Sequence, residues 1–189
     1  MLFRSRPQPE RVFRRAGGRR SRSRRGCHNL GGVCAVDAAL FRTKAAEELR
    51  AASTATGARL LQEVAIHDEA RSLLVVEYSE AVHAARTPGT HPVAFAVVGT
   101  GLGVDAEANA GALLLGTASA ILSAAMRLLP VSHRDVQAVL HRLRPDLARL
   151  ASGAVEAVEA CAVPLASFHP LQEVASMRHR TGRVRLFAS

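Results

Sequence analysis

The chain contains no tryptophan and one tyrosine, and aromatic residues make up only 4% of its 189 residues. Aromatic and β-branched residues are enriched in strands, whereas alanine, which is abundant here, is the strongest helix former. The composition therefore favours a helical protein over a strand-rich sandwich. A hydrophobic content of 48% in a chain of this length is sufficient for one domain with a substantial core.

Cysteine is also scarce, and Cys27, Cys34 and Cys161 form neither a C-x-x-C motif nor a zinc-binding spacing. The sequence therefore predicts no disulfide framework and no metal site. His133 and His141 lie eight residues apart without suitably spaced acids, so they do not indicate a metal site either. The sequence contains no nucleophile–base pair, no paired carboxylates and no phosphate-binding loop, and it predicts a protein that is not an enzyme and needs no cofactor.

A glycine-rich motif, Gly99-Thr100-Gly101-Leu102-Gly103, follows the apolar run at 93–98 and is similar to the start of a dinucleotide-binding fold. The motif is incomplete, because Val104 stands where the third glycine belongs and Asp105 would repel a pyrophosphate. A short helix beginning near Pro92, followed by a tight joint between helices, is an alternative interpretation.

The net charge of +9 is concentrated at the amino terminus, since residues 1–25 contain ten arginines and one acid, whereas residues 26–189 are neutral overall. A basic segment of this kind can neutralise phosphates, so one hypothesis is a helical protein that binds nucleic acid through this arm. The composition is more typical of a solvated, disordered extension.

The segment Ala108 to Met126 contains no charged residue over nineteen positions. A membrane-spanning helix needs about 20 mostly apolar residues, so the length alone would permit one. Alanine and glycine dominate the segment, however, and such small residues suit a helix whose neighbours approach closely. The sequence therefore predicts a single-domain bundle around a central buried helix at about 106–128, and no membrane span.

Local signals predict further helix boundaries. Asp37 is a candidate N-cap for the first helix, Thr56-Gly57 is expected to interrupt it, and Ser132 with Asp135 has the form of a capping box. Pro145 fits the first turn of a new helix. The run at 73–76 could form a strand if taken alone.

A last helix is predicted to begin at Phe168-His169-Pro170 and to stop at Gly182, with Leu171, Val174 and Ala175 facing inward. The basic, partly apolar tail that follows is suited to a protein interface, since arginine and aromatic side chains are favoured anchors there.

Several motifs occur in the order and at the spacing of the urease accessory protein UreF family, which the chain resembles from about residue 36 to the end. The most specific is the ending Ser176-Met177-Arg178-His179 with Arg185-Leu186-Phe187. The others are Ala52-Ser53, Thr56-Gly57, Leu60-Leu61, His91-Pro92-Val93, Phe95, Ser123 to Pro130, Pro170-Leu171 and Val174-Ala175.

The resemblance implies an all-α fold, with helices at 73–76 and 93–98. It also implies a non-catalytic, cytoplasmic chaperone that joins UreD (also called UreH) and the GTPase UreG and promotes nickel insertion into the urease apoprotein. By motif match, the residues expected to contact the partner are Arg178, His179, Arg185, Leu186 and Phe187. Whether the protein forms a homodimer is left open.

The family's amino-terminal signature has no counterpart in residues 1–35, where the arginine-rich stretch and a glycine-rich joint stand instead. The predicted organisation is therefore an arm at 1–35, followed by a UreF-like helical domain at 36–189 with a partner-binding tail. Arg180 and Arg183 replace an acid and a tyrosine of the family pattern, which makes this tail more basic.

Overall fold

A computed structural model describes residues 30–67 and 72–160, and within these ranges the protein is all-α, with no strand. The helices are α1 (Leu30–Thr43), α2 (Glu47–Val64), α3 (Leu73–His83), α4 (His91–Gly101), α5 (Ala106–Leu128) and α6 (His133–Glu159). The fold-class prediction is confirmed. Residues 30–35 of the predicted arm lie in α1, whereas residues 1–29 and the predicted last helix lie outside the described residues.

The core forms where α1, α2, α3 and α4 meet. Helix α4 is the most buried of them, and its buried positions Val93, Ala94, Val97 and Val98 recur at helical spacing. The two apolar runs that could have been strands, 73–76 and 93–98, both lie in helices, as the family resemblance implied. A short apolar run does not distinguish a strand from a buried helix by its periodicity, so packing decides.

Three boundary signals were wrong. Helix α1 begins at Leu30 rather than near residue 36, which places Asp37 inside the helix instead of at its N-cap. Gly57 lies within an uninterrupted α2, and Pro145 lies within an uninterrupted α6. In each case the free energy favouring a helix end at that residue is smaller than the free energy gained from tertiary contacts or from continuing the helix on both sides.

Gly57 is required by a close approach between α2 and the loop that joins α3 to α4. A Cβ atom at this position would overlap the backbone carbonyl oxygen of Gly89 and lie 3.0 Å from the backbone nitrogen of His91. Because these atoms are backbone, they cannot move aside as a flexible side chain could. The glycine therefore permits the packing of α2 on α4 rather than ending the helix.

Asp37 is fully buried and fastens α1 to this same loop. Its carboxylate accepts hydrogen bonds from the hydroxyls of Tyr78 (3.0 Å), Thr87 (2.7 Å) and Thr90 (2.6 Å). It also accepts from the backbone N–H groups of Gly89 (2.7 Å) and Thr90 (2.9 Å). Five donors thus compensate one buried charge that would otherwise be strongly unfavourable.

Burial by itself would raise the pKa of the Asp37 carboxyl, but the hydrogen bonds from Thr90, Thr87 and Gly89 outweigh it and hold the pKa below its usual value of 3.8. Burial also raises the pKa of Tyr78, and the neighbouring Asp37 charge raises it further. Asp37 is therefore ionised and Tyr78 is protonated at neutral pH, which is the pairing that the hydrogen bond needs.

Helices α5 and α6 form an antiparallel hairpin that contacts the core mainly through α4. Asp105 caps α5 by accepting from the Ala108 N–H (2.8 Å), and the predicted capping box of Ser132 and Asp135 is confirmed at the start of α6. At the open end of the hairpin, the Ser152 hydroxyl donates to the Glu107 carboxylate.

The prediction of a helix at about 106–128 is confirmed, but the prediction that it is buried at the centre of the bundle is wrong for the described residues. Asn109 is the one buried residue of α5, and Ile121 is 64% exposed. Asn109, in the first turn of α5, is hydrogen-bonded to α4, and α6 packs along α5. An apolar composition shows that a helix can be buried at little cost. It does not show that another helix is present to cover it.

Replacement of Asp37 by asparagine is expected to lower the free energy of unfolding by about 3 kcal/mol, because an amide nitrogen would face donors that then lack an acceptor. Denaturant unfolding of the two proteins measures the difference. Asp105→Asn is the matched control, since asparagine is an equally good N-cap, and it should change stability by less than about 0.5 kcal/mol. Equal effects of the two substitutions would contradict the role assigned to Asp37.

The stability contributed by Asp37 should depend on pH in one direction. Because the folded-state pKa is depressed, the contribution is complete above the unfolded carboxyl pKa of 3.8 and is lost as pH falls through the lower folded value. The difference in unfolding free energy between the native chain and Asp37→Asn should therefore be constant near neutrality and narrow below about pH 4. A difference that stays constant down to about pH 2 would show that Asp37 is not ionised in the folded protein.

Gly57→Ala should destabilise the protein by about 2 kcal/mol, because the added methyl group meets backbone atoms. Gly153→Ala is the matched control on α6, where no atom of another group lies within 4 Å of the new Cβ. It should be neutral or stabilising by up to about 1 kcal/mol, since alanine has the higher helix propensity. Thermal unfolding of both variants gives the comparison, and equal stabilities would rule out the close contact.

Candidate functional site

The glycine-rich motif forms a joint between helices rather than a nucleotide cradle. Pro92 lies in the first turn of α4, and residues 93–98 belong to that helix rather than to a strand. Gly99 leaves the space that the Asn109 side chain occupies, and the Asn109 amide donates to the Ala96 carbonyl (3.1 Å). The interpretation as a helix followed by a tight joint is confirmed.

The buried titratable groups serve the fold. Asp37 is 0% exposed, and its oxygens are occupied by five donors, so a substrate has no access to it. Burial lowers the pKa of His91, and its ring lies 5.9 Å from the Phe95 ring. The His91 backbone N–H donates to the Ser53 hydroxyl (3.3 Å), which connects the start of α4 to α2. These contacts position helices.

Within residues 30–67 and 72–160, no group of three histidine, cysteine, aspartate or glutamate side chains is placed to hold a metal ion. Cys34 is a partly buried free thiol on α1. His133 and His141 are both exposed on α6. Cys161 lies outside the described residues.

The most unusual surface of the described protein is the outer face of α5, whose apolar and small residues are Ala112, Leu115, Gly116, Ala120, Ile121 and Leu128, with Thr117 and Arg127 exposed among them. All six residues are exposed, and Ile121 and Leu128 are 64% and 56% exposed. Leu129, directly after the helix, is 58% exposed. An exposed helix surface this rich in apolar residues usually marks an interaction site.

Helix α6 differs from α5 because it is amphipathic. Its apolar residues Val136, Val139, Leu143 and Leu147 are buried or half-buried, whereas its polar side carries exposed charges such as the Asp146–Arg149 pair (3.0 Å). This polar side is an ordinary solvated helix surface. The candidate interaction surface of the hairpin is therefore the outer face of α5.

Among the described residues, α5 is the one helix with the length and composition to cross a membrane. One such helix is weak grounds for a membrane span, because helices of soluble proteins can have the same length and composition.

All five residues that the family resemblance assigns to partner contact lie outside the described residues: Arg178, His179, Arg185, Leu186 and Phe187. That assignment stays a prediction. The exposed face of α5 was missed at the sequence level, because its apolar composition indicated burial. Its nineteen uncharged positions were nevertheless the signal that could have found it.

Comparison with known proteins gives a consistent result. The UreF family model matches residues 20–144. Urease accessory protein UreF 1 of Brucella melitensis is 33% identical over 161 residues, which cover 83% of this chain and 63% of the relative. The UreF proteins of Arthrobacter sp. and Bacillus sp. are 33% and 29% identical, and each match covers 82% of this chain and 66% of the relative.

The chain thus spans about two thirds of the length of the curated relatives that it matches. No solved structure matches it. The family match covers more than half of the chain and includes all of α1 to α5 and the first part of α6. The chain therefore belongs to the UreF family of urease accessory proteins.

Proposed function

We propose that the protein is a non-catalytic adaptor in urease maturation, which acts in the cytoplasm and binds UreD (UreH) and the GTPase UreG to promote nickel insertion into the urease apoprotein. Nickel is the cargo of this process, and no residue of this chain is assigned as its ligand. Family membership is the observation that carries the proposal. The partners follow from the family resemblance rather than from any contact in the described residues.

The described structure supports an adaptor in two ways. Its buried polar groups are used to connect helices, as the Asp37 and Asn109 hydrogen bonds show. Helix α5, which has nineteen consecutive uncharged positions, leaves large apolar side chains exposed, which is typical of proteins that act through partners. The comparisons give no support to the alternative hypothesis of a nucleic-acid-binding protein that uses the arginine-rich arm.

The tail ending in Arg185, Leu186 and Phe187 is the proposed contact with UreD. Phe187→Ala is expected to weaken binding to UreD by about 2 kcal/mol, or about thirtyfold in Kd, the effect of removing an interface anchor. The thermal unfolding midpoint of the free protein should be unchanged, because the proposed role is intermolecular. Affinity is measured by titrating purified UreD into each protein.

Arg183→Ala is the matched control in the same tail, because this arginine departs from the family pattern and is not assigned to the contact. It should retain binding within about threefold, the scale of a residue at an interface rim. Complementation of a strain that lacks UreF, with urease activity and nickel content as readouts, tests the wider role. Absence of UreD and UreG binding by the native chain would refute the proposed function.

A further inference from the structure

The outer face of α5 combines small residues with exposed leucine and isoleucine side chains over about 25 Å of helix, from Ala112 to Leu128. Helix α6 lies on the opposite side, since Ala151 is the neighbour that a side chain at Gly111 would meet. Small residues allow a second helix to approach closely, and the large ones supply apolar area to cover. The geometry of this face therefore suits a short amphipathic helix.

One segment of this chain has that pattern and begins close to the face. Residues 164–177 (PLASFHPLQEVASM) contain Glu173 as their one acidic or basic residue apart from His169. On a helix, Phe168, Leu171, Val174 and Ala175 fall on one side, and Gln172, Glu173 and Ser176 fall on the others. The segment thus has a single apolar stripe and no means of covering it by itself.

We infer that residues 168–177, the part of this segment that carries the stripe, pack against the outer face of α5 as a third helix of the α5–α6 hairpin. This inference does not rest on the proposed function, and it leaves Arg178 and the residues after it beyond the packed stripe.

The chain is long enough to make this contact. Helix α6 runs about 12 Å beyond Ser152, which is hydrogen-bonded to Glu107 in the first turn of α5. The link at 161–167 can span up to about 23 Å, enough to return to Ala112. A helix from Phe168 to Met177 is about 15 Å long and would lie alongside α5 from Ala112 to about Ile121.

An intramolecular segment also has a concentration advantage over any other occupant. A short link holds it at an effective concentration in the millimolar range, whereas a second copy of the chain at micromolar concentration is about a thousandfold more dilute. The stretch of this face from Ala112 to Ile121 carries no charged residue, so it offers an acidic or basic partner no complementary charge. The chain's own segment is therefore the favoured occupant.

Thiol labelling of the full chain tests the inference. Cys27, Cys34 and Cys161 are replaced by serine, and a reporter cysteine is placed by Ile121→Cys or, for reference, by Gln137→Cys on the exposed side of α6. The cysteine at 121 should react with a maleimide at least about tenfold more slowly than the one at 137. The double substitution Leu171→Asp/Val174→Asp should restore its rate to within about twofold of the reference.

Gln172→Asp/Ser176→Asp is the matched control, because it adds the same charge to the same segment outside the apolar stripe. It should leave the cysteine at 121 protected, and circular dichroism verifies that every variant is folded. Equal labelling rates at 121 and 137, or protection that survives Leu171→Asp/Val174→Asp, would overturn the inference. Protection that increases with protein concentration would also overturn it and would indicate a second copy. None of these outcomes depends on UreD or UreG, so failure here and failure of the proposed function are distinguishable.

Discussion

The fold depends on the buried carboxylate of Asp37. Helix α1 buries only Val33 and Asp37 fully, so its attachment relies on this carboxylate as much as on apolar area. The donors to Asp37 come from α3 and from the loop before α4, at separations of 41 to 53 residues. The same loop carries Gly89, whose carbonyl oxygen lies against Gly57 of α2. The loop between α3 and α4 is thus fixed on one side by its hydrogen bonds to the Asp37 carboxylate and on the other by its contact with α2 at Gly57.

This double constraint explains why α4 is the centre of the described structure. The loop sets where α4 begins, Ser53 of α2 accepts from its first backbone N–H, and its buried valines fill the space between α2 and α3. At its other end, Gly99 admits Asn109 and so fixes the start of α5. The core is therefore anchored to the base of the α5–α6 hairpin through Gly99 and Asn109.

The features that the sequence predicts correctly are local ones. The helical composition reflects the preferences of individual residues, and the Ser132–Asp135 capping box forms between residues within one turn, so both were recognisable in the sequence. Aspartate is a common N-cap and glycine commonly ends a helix, so Asp37 and Gly57 were predicted to mark helix ends. The partners that determine their actual roles are distant in the chain. The predicted partner residues near Arg185 lie beyond the described residues, so of the candidate surfaces only the face of α5 can be compared with the sequence.

The exposure of α5 has an energetic consequence. A helix that is apolar on every side gains free energy when it is covered, and each fully covered leucine or isoleucine contributes about 1.5–3 kcal/mol. Helix α6 supplies one amphipathic cover, and Ile121 and Leu128 remain exposed among the described residues. The hydrogen bond that joins α5 to the core is at Asn109, near the start of the helix, whereas Ile121 and Leu128 lie further along it. The protein thus separates a part held together by buried hydrogen bonds from a part whose stability depends on what packs against it, a division of roles suited to an accessory protein that works by association.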